Sequence, residues 1–129
     1  ADAHHPLTHH RGRTELIEKA TKIQCHHAAQ FASLVKELKS MKEGDGTVLD
    51  HSMLVYGSSM SDPNAHLHYN VPCVLVGRGD GSLKPGRHVV YPGVDTPQTN
   101  LWLALLDKMG VRTEKLGDST GRAEYLTDL

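Results

Sequence analysis

The chain has 129 residues, 38% of them apolar and 22% charged, with 14 Lys and Arg against 15 Asp and Glu. That length fits one domain able to bury roughly two-thirds of its unfolded surface. A net charge of −1 leaves no basic field to draw in nucleic acid, and no apolar run approaches the ~20 residues of a membrane span.

Ten histidines are the unusual number. They cluster as His4, His5, His9 and His10, then His26 and His27, then His66 and His68, with His51 and His88 alone.

Ala1 to Arg13 shows no period and is expected to be an extended entry segment. A long helix is predicted over about 14–42, because Leu16, Ala20, Ile23, His27, Phe31, Leu34, Leu38 and Met41 recur at steps of three or four. Thr14 is placed as its N-cap, and Gly44-Asp45-Gly46 as its stop. Cys25 on this helix and Cys73 further on are expected as core or semi-buried thiols rather than a disulfide.

Ser52 to Gly57 and Val71 to Gly77 are continuous apolar runs of strand length. Such runs suit strands buried on both faces, so the expectation is an α/β fold with these strands parallel in one sheet. His88 to Tyr91 is a candidate third strand. Thr96 as N-cap and Pro97 as first helical residue open a second helix, carrying Leu101, Trp102, Leu105, Leu106 and Met109 to a C-terminal Gly110. Two or three strands make a small sheet with exposed edges. A piece of something longer is therefore expected, and with it self-association into a homo-oligomer.

Two constellations carry chemistry. His5, His9 and His10 lie within six residues and can converge on a divalent cation of zinc or manganese type, or can simply belong to a solvated arm. Asp62, His66 and His68 follow the first strand, where ligands bind in open α/β sheets. They form a partial metal shell, or else Asp62 caps a turn and the histidines bind backbone. His-x-His on an extended segment would place both rings on one side. His27, on the apolar stripe, is expected to face inward, and His26 to face solvent.

At these residues the chain resembles the bacterial HXXSHH family, of unknown function: H-P-L-T-H-H at His5 to His10 matches its signature, with Thr8 in place of serine. The resemblance continues through 44–52, 56–62, 66–72, 86–88, 109–111 and 117–121. It implies the C-terminal part of a longer, exported protein, periplasmic or extracellular. It also implies a distant likeness to the alkaline-phosphatase-like superfamily, a three-layer sandwich with metal sites that act on phosphate or sulfate esters. There Ser61-Asp62 would match one metal segment, and His66 or His68, ahead of Asn70-Val71-Pro72, another. Pro63 stands where that superfamily has a metal histidine, and the superfamily's nucleophile has no counterpart in this chain. The resemblance thus implies a metal-dependent hydrolase with a small-molecule ester substrate. The alternative is a non-catalytic exported protein whose histidines bind metal or a partner.

Overall fold

The computed structural model describes residues 3–91, 96–124 and 126. The order is α1 (His4–Thr8), α2 (Thr14–Ser40), β1 (Lys42–Glu43), β2 (Gly46–Thr47), β3 (Leu54–Gly57), β4 (Cys73–Val76) and α3 (Thr99–Lys108). The chain is mixed α/β, but its strands form two separate two-stranded antiparallel sheets.

The long helix falls where its apolar period placed it, with Thr14 as its first residue and Arg13, not Thr14, at the N-cap. Its end is fixed by a hairpin. β1 pairs with β2 around Gly44 and Asp45, and Val48 N–H donates to Met41 O at 3.0 Å. Against the expected extended entry, residues 4–8 form the short helix α1, which lies along α2 and buries Leu7 and Thr8. The Thr8 hydroxyl donates to His5 O at 2.8 Å, closing its single turn.

The parallel sheet is corrected. β3 runs antiparallel to β4, with Leu54 opposite Val76 and Gly57 opposite Cys73. The physical reason is the connection. A parallel link needs about a dozen or more residues, usually as a crossover helix. The 58–72 segment spends its length on turns and an isolated bridge between Asp62 and Leu67. The layered alkaline-phosphatase-like sandwich is accordingly not the arrangement of these strands. Residues 88–91 form no strand. Cys25 and Cys73 are free, and both are exposed rather than semi-buried.

At the end of β4, Gly77 holds φ +106°, and a Cβ there would meet Ser52 O at 2.1 Å. Only glycine allows the backbone to pass so close. α3 begins at Thr99 with Gln98 as its N-cap, so Thr96 and Pro97 precede the helix and are not its cap and first residue as expected. Gly110 follows the Met109 C-cap, as expected. Gly110 N–H donates to Asp107 O and Val111 N–H to Leu106 O, the paired bonds of a Schellman cap.

The buried apolar residues are few: Leu83, Leu103, Ala104 and Leu105 around α3, and Leu7 under α1. Beside them Asn100 is buried and fully used. Its amide donates to Thr120 Oγ1, its Oδ1 accepts from Thr120 N–H, and its carbonyl accepts from Ala123 N–H. This pins the 116–123 tail onto α3. α2 buries none of its 27 residues, and its contacts include α1, β2, the Leu49 N–H donated to Leu38 O at 3.3 Å and a Phe31–Tyr56 stack at 4.8 Å.

Candidate functional site

Of the six candidate ligands, the structure brings three together. His5 and His9 stand four apart on and just beyond α1, and their Nε2 atoms lie 3.3 Å apart. His66, from the loop between β3 and β4, places its ring 5.0 Å from that of His9. Two local features hold this junction. The Arg11 N–H donates to Asn64 Oδ1 at 2.8 Å, tying the end of the α1 segment to the 62–67 turn. His66 takes φ +54°, a left-handed conformation that histidine tolerates better than most side chains.

The other three candidates are occupied elsewhere. The Asp62 carboxylate accepts from the N–H groups of Asn64 and Ala65, an Asx turn that starts the loop. His68 Nδ1 contacts Ser59 O at 3.3 Å. His10 Nδ1 accepts from Gly12 N–H. The 66–68 segment is not the extended one expected: His66 lies in a turn with φ +54°.

The cluster continues onto α2 through residues the sequence reading did not combine. His4 Nε2 lies 3.0 Å from Gln24 Nε2, and its ring is 5.9 Å from that of His27. His27 is therefore exposed beside α1 rather than turned into a core, while His26 is exposed as expected. The only signal for this pairing was the amphipathic stripe itself, which put Gln24 and His27 on the side where α1 docks.

Electrostatically the site favours a neutral ring at His9. The pKa of His9 is lowered, first by loss of hydration, then by repulsion from His5, His66 and Arg11. A neutral imidazole is the form that binds a metal ion. Two nitrogens sharing a tetrahedral ion at about 2.0–2.1 Å lie about 3.3–3.4 Å apart, which is the His5–His9 separation. Among the described residues, no group of three or more His, Cys, Asp or Glu side chains is arranged to hold a metal ion.

A different histidine sits at a polar clamp. His51 Nδ1 contacts Asp80 Oδ1 at 2.9 Å, and its Nε2 contacts Glu43 O at 3.3 Å. With an acceptor at each nitrogen the imidazolium is favoured, and the pKa is raised, chiefly by the Asp80 bond. This joins the hairpin to the 77–82 turn. The glycine-rich run around Asp80 was the available signal, since it forces a turn beside the strand end.

Comparison with protein-family models, with curated proteins and with solved structures returned no match.

Proposed function

We propose that this chain is a metal-dependent, hydrolase-like protein acting on a phosphate or sulfate ester, with a zinc- or manganese-type ion held by His5, His9 and His66. The observation that carries the metal is the 3.3 Å separation of His5 Nε2 and His9 Nε2 beside the strained His66. Departures of this kind from favoured backbone geometry gather at functional sites. The ester class rests on the resemblance at His5–His10 and Ser61-Asp62, which also carries the expectation of an extracytoplasmic location.

The residues have separable tasks. His5 and His9 supply a two-nitrogen edge from one helical turn, and His66 closes it after a rotation of its ring. Asn64 holds the two segments in register through Arg11 N–H. Asp62 shapes the loop that presents His66, so it acts through the turn and not as a ligand. A bound ion would polarise the ester oxygen and stabilise charge developing on it.

Zinc and manganese titrations of the wild-type chain test the ligand set. His5→Ala, His9→Ala and His66→Ala are expected to weaken binding by about 10- to 100-fold, the span that even outer partners of metal ligands command. His26→Ala and His68→Ala should leave it nearly unchanged. Equal losses in all five would remove the assignment.

A second reading is favoured by one observation: the trio is open to solvent. A groove of about 420 Å³ lies instead beside α3, lined among others by Asp107 and Arg122, which pair with each other, and by Lys108, which donates to Ser82 O. A non-catalytic metal- or partner-binding protein fits that exposure. Turnover of aryl phosphate and aryl sulfate by the metal-loaded chain separates the two: metal binding without turnover selects the second.

A further inference from the structure

The surface is too large for the mass. The chain exposes 9216 Å² at 14.1 kDa. A compact monomer of that mass exposes about 6,700 Å². The excess, about 2,500 Å², is roughly three times the ~800 Å² that each partner covers in a standard interface. Part of it lies along β4. The β3–β4 sheet has two strands, so neither outer edge is covered by a third. Its faces are met, because Phe31 stacks on Tyr56 on one side and the Gln98 side chain hydrogen-bonds the Cys73 thiol on the other. Along the edge, Cys73 and Val74 stay exposed, Val74 by 52%.

The register shows which backbone groups point outward. Ser58 N–H donates to Pro72 O at 3.2 Å, and Gly57 stands opposite Cys73 and Tyr56 opposite Val74. In an antiparallel ladder, hydrogen-bonded and open pairs alternate. Pro72, Val74 and Val76 therefore turn their backbone groups toward β3, while Cys73 and Leu75 turn theirs away. Among the described residues, those outward groups have no hydrogen-bond partner. Edge strands are ordinarily blunted by a charged side chain or a proline. No charged residue stands between Val71 and Gly77. The one proline, Pro72, lacks its donor on the inner side and leaves the outer row whole.

We propose that the outer edge of β4 is a self-recognition surface, on which β4 of a second copy pairs antiparallel about a two-fold axis at Val74. Cys73 then lies opposite Leu75 of the partner subunit. By symmetry Leu75 lies opposite Cys73 of the partner subunit, and each pair exchanges two backbone bonds. Val74 meets Val74 of the partner subunit as the open pair, where side chains come closest. Two hairpins thus become one four-stranded sheet, and a sheet with an apolar face gains independent stability from three strands upward. Three features favour a second copy as the occupant. The outward groups at 73 and 75 are disposed equally about 74, so the edge complements itself. It carries no charge, and a net charge of −1 gives two copies little cause to repel. The exposed area exceeds what a standard interface takes.

Sedimentation equilibrium of the full chain, over a concentration series, is expected to give twice the 14.1 kDa mass. Val74→Lys should restore the monomer, since it sets like charges directly opposite each other. Val74→Thr, also β-branched, should keep the dimer. Circular dichroism of both should match wild type, because the position is half exposed. Crosslinking reads the register independently. In a Cys25→Ser, Cys73→Ser background, Val74→Cys places thiols at the central open pair, about 4.5 Å apart between Cα atoms and within disulfide range. In a Cys25→Ser background, native Cys73 faces its own copy only on the diagonal, at about 7–8 Å, beyond that range. Mild oxidation should therefore link the Val74→Cys chain to itself faster than the Cys73 chain. A monomer at every concentration, a dimer that survives Val74→Lys, or faster linking through Cys73 would each overturn the proposal.

Discussion

α2 and α3 are both amphipathic helices, yet the shorter one holds the fold together. α3 has 10 residues and buries Asn100, Leu103, Ala104 and Leu105, while α2 has 27 and buries none. The difference lies in what each helix meets. α3 is tied to the 116–123 tail through Asn100, Thr99 and Asp107. Leu103, Ala104 and Leu105 lose their water and its one buried amide is satisfied, while Met109, expected on its apolar side, is 68% exposed. α2 meets chiefly a five-residue helix, a two-residue strand with the Leu49 N–H that follows it, and one stacked ring. An apolar stripe supplies the capacity for burial, and only a surface to lie against converts it into stability. The imidazoles collect beside the helix that is least buried.

The largest test of this contrast is a pair of truncations. Leu103 is 0% exposed, so Leu103→Ala should cost about 2–5 kcal/mol in urea unfolding. Leu34→Ala, at 48% exposure, should cost about 0.5 kcal/mol or less in the monomer. Equal costs would mean that α2 is packed as tightly as α3.

A smaller effect is expected at two left-handed glycines. Gly77→Ala should cost about 2 kcal/mol or more, because φ +106° and a Cβ 2.1 Å from Ser52 O oppose it together. Gly81→Ala, at φ +83° with nothing within 4 Å, should cost only the backbone strain, about 1 kcal/mol. The ratio between them measures how rigidly the β4 end is held against the 49–52 segment. Similar losses would show that the backbone there gives way.

α2 and the end of α3 were legible because their signals are local: period for α2, and Gly110 for the end of α3. α1 was not, since residues 1–13 show no period. Strand direction was not, because both apolar runs are compatible with either pairing and the 58–72 connection is near the minimum for a parallel one. At the site, His5, His9 and His66 were legible as candidates but not as a trio. Their meeting depends on α1 forming and on the turn at His66. Asp62, His68 and His10 entered the ligand set through clustering in the sequence, the place of 62–68 after the first strand and the family resemblance. In the structure each bonds to nearby backbone. Asp62-Pro63-Asn64 already carried an Asx-turn signal, and short-range bonds to backbone compete with ligation at such positions. Neither the His51–Asp80 contact nor the Arg11–Asn64 contact is local, the partners being 29 and 53 positions apart.

The smallest expected effect sets the two histidine environments against each other by pH. His51 has its pKa raised above the usual 6.5, with the Asp80 bond as the main cause. Its contribution to stability is therefore fully present below 6.5 and is lost as pH rises through the higher folded value. His9 has its pKa lowered, with loss of hydration first and His5, His66 and Arg11 after it. Its contribution is present above 6.5 and is lost as pH falls through the lower folded value. Both groups are open to solvent, so the slopes are shallow and show best as differences between variants. Thermal melts across this range should find that His51→Gln removes the decline on the alkaline side, while His9→Gln removes the decline on the acid side. An acid-side decline that survives in His9→Gln would show that repulsion within the trio does not act through His9. A saturating zinc ion should steepen the acid-side loss in wild type, since protons and metal compete for the same nitrogens, and should leave the His51 limb where it is.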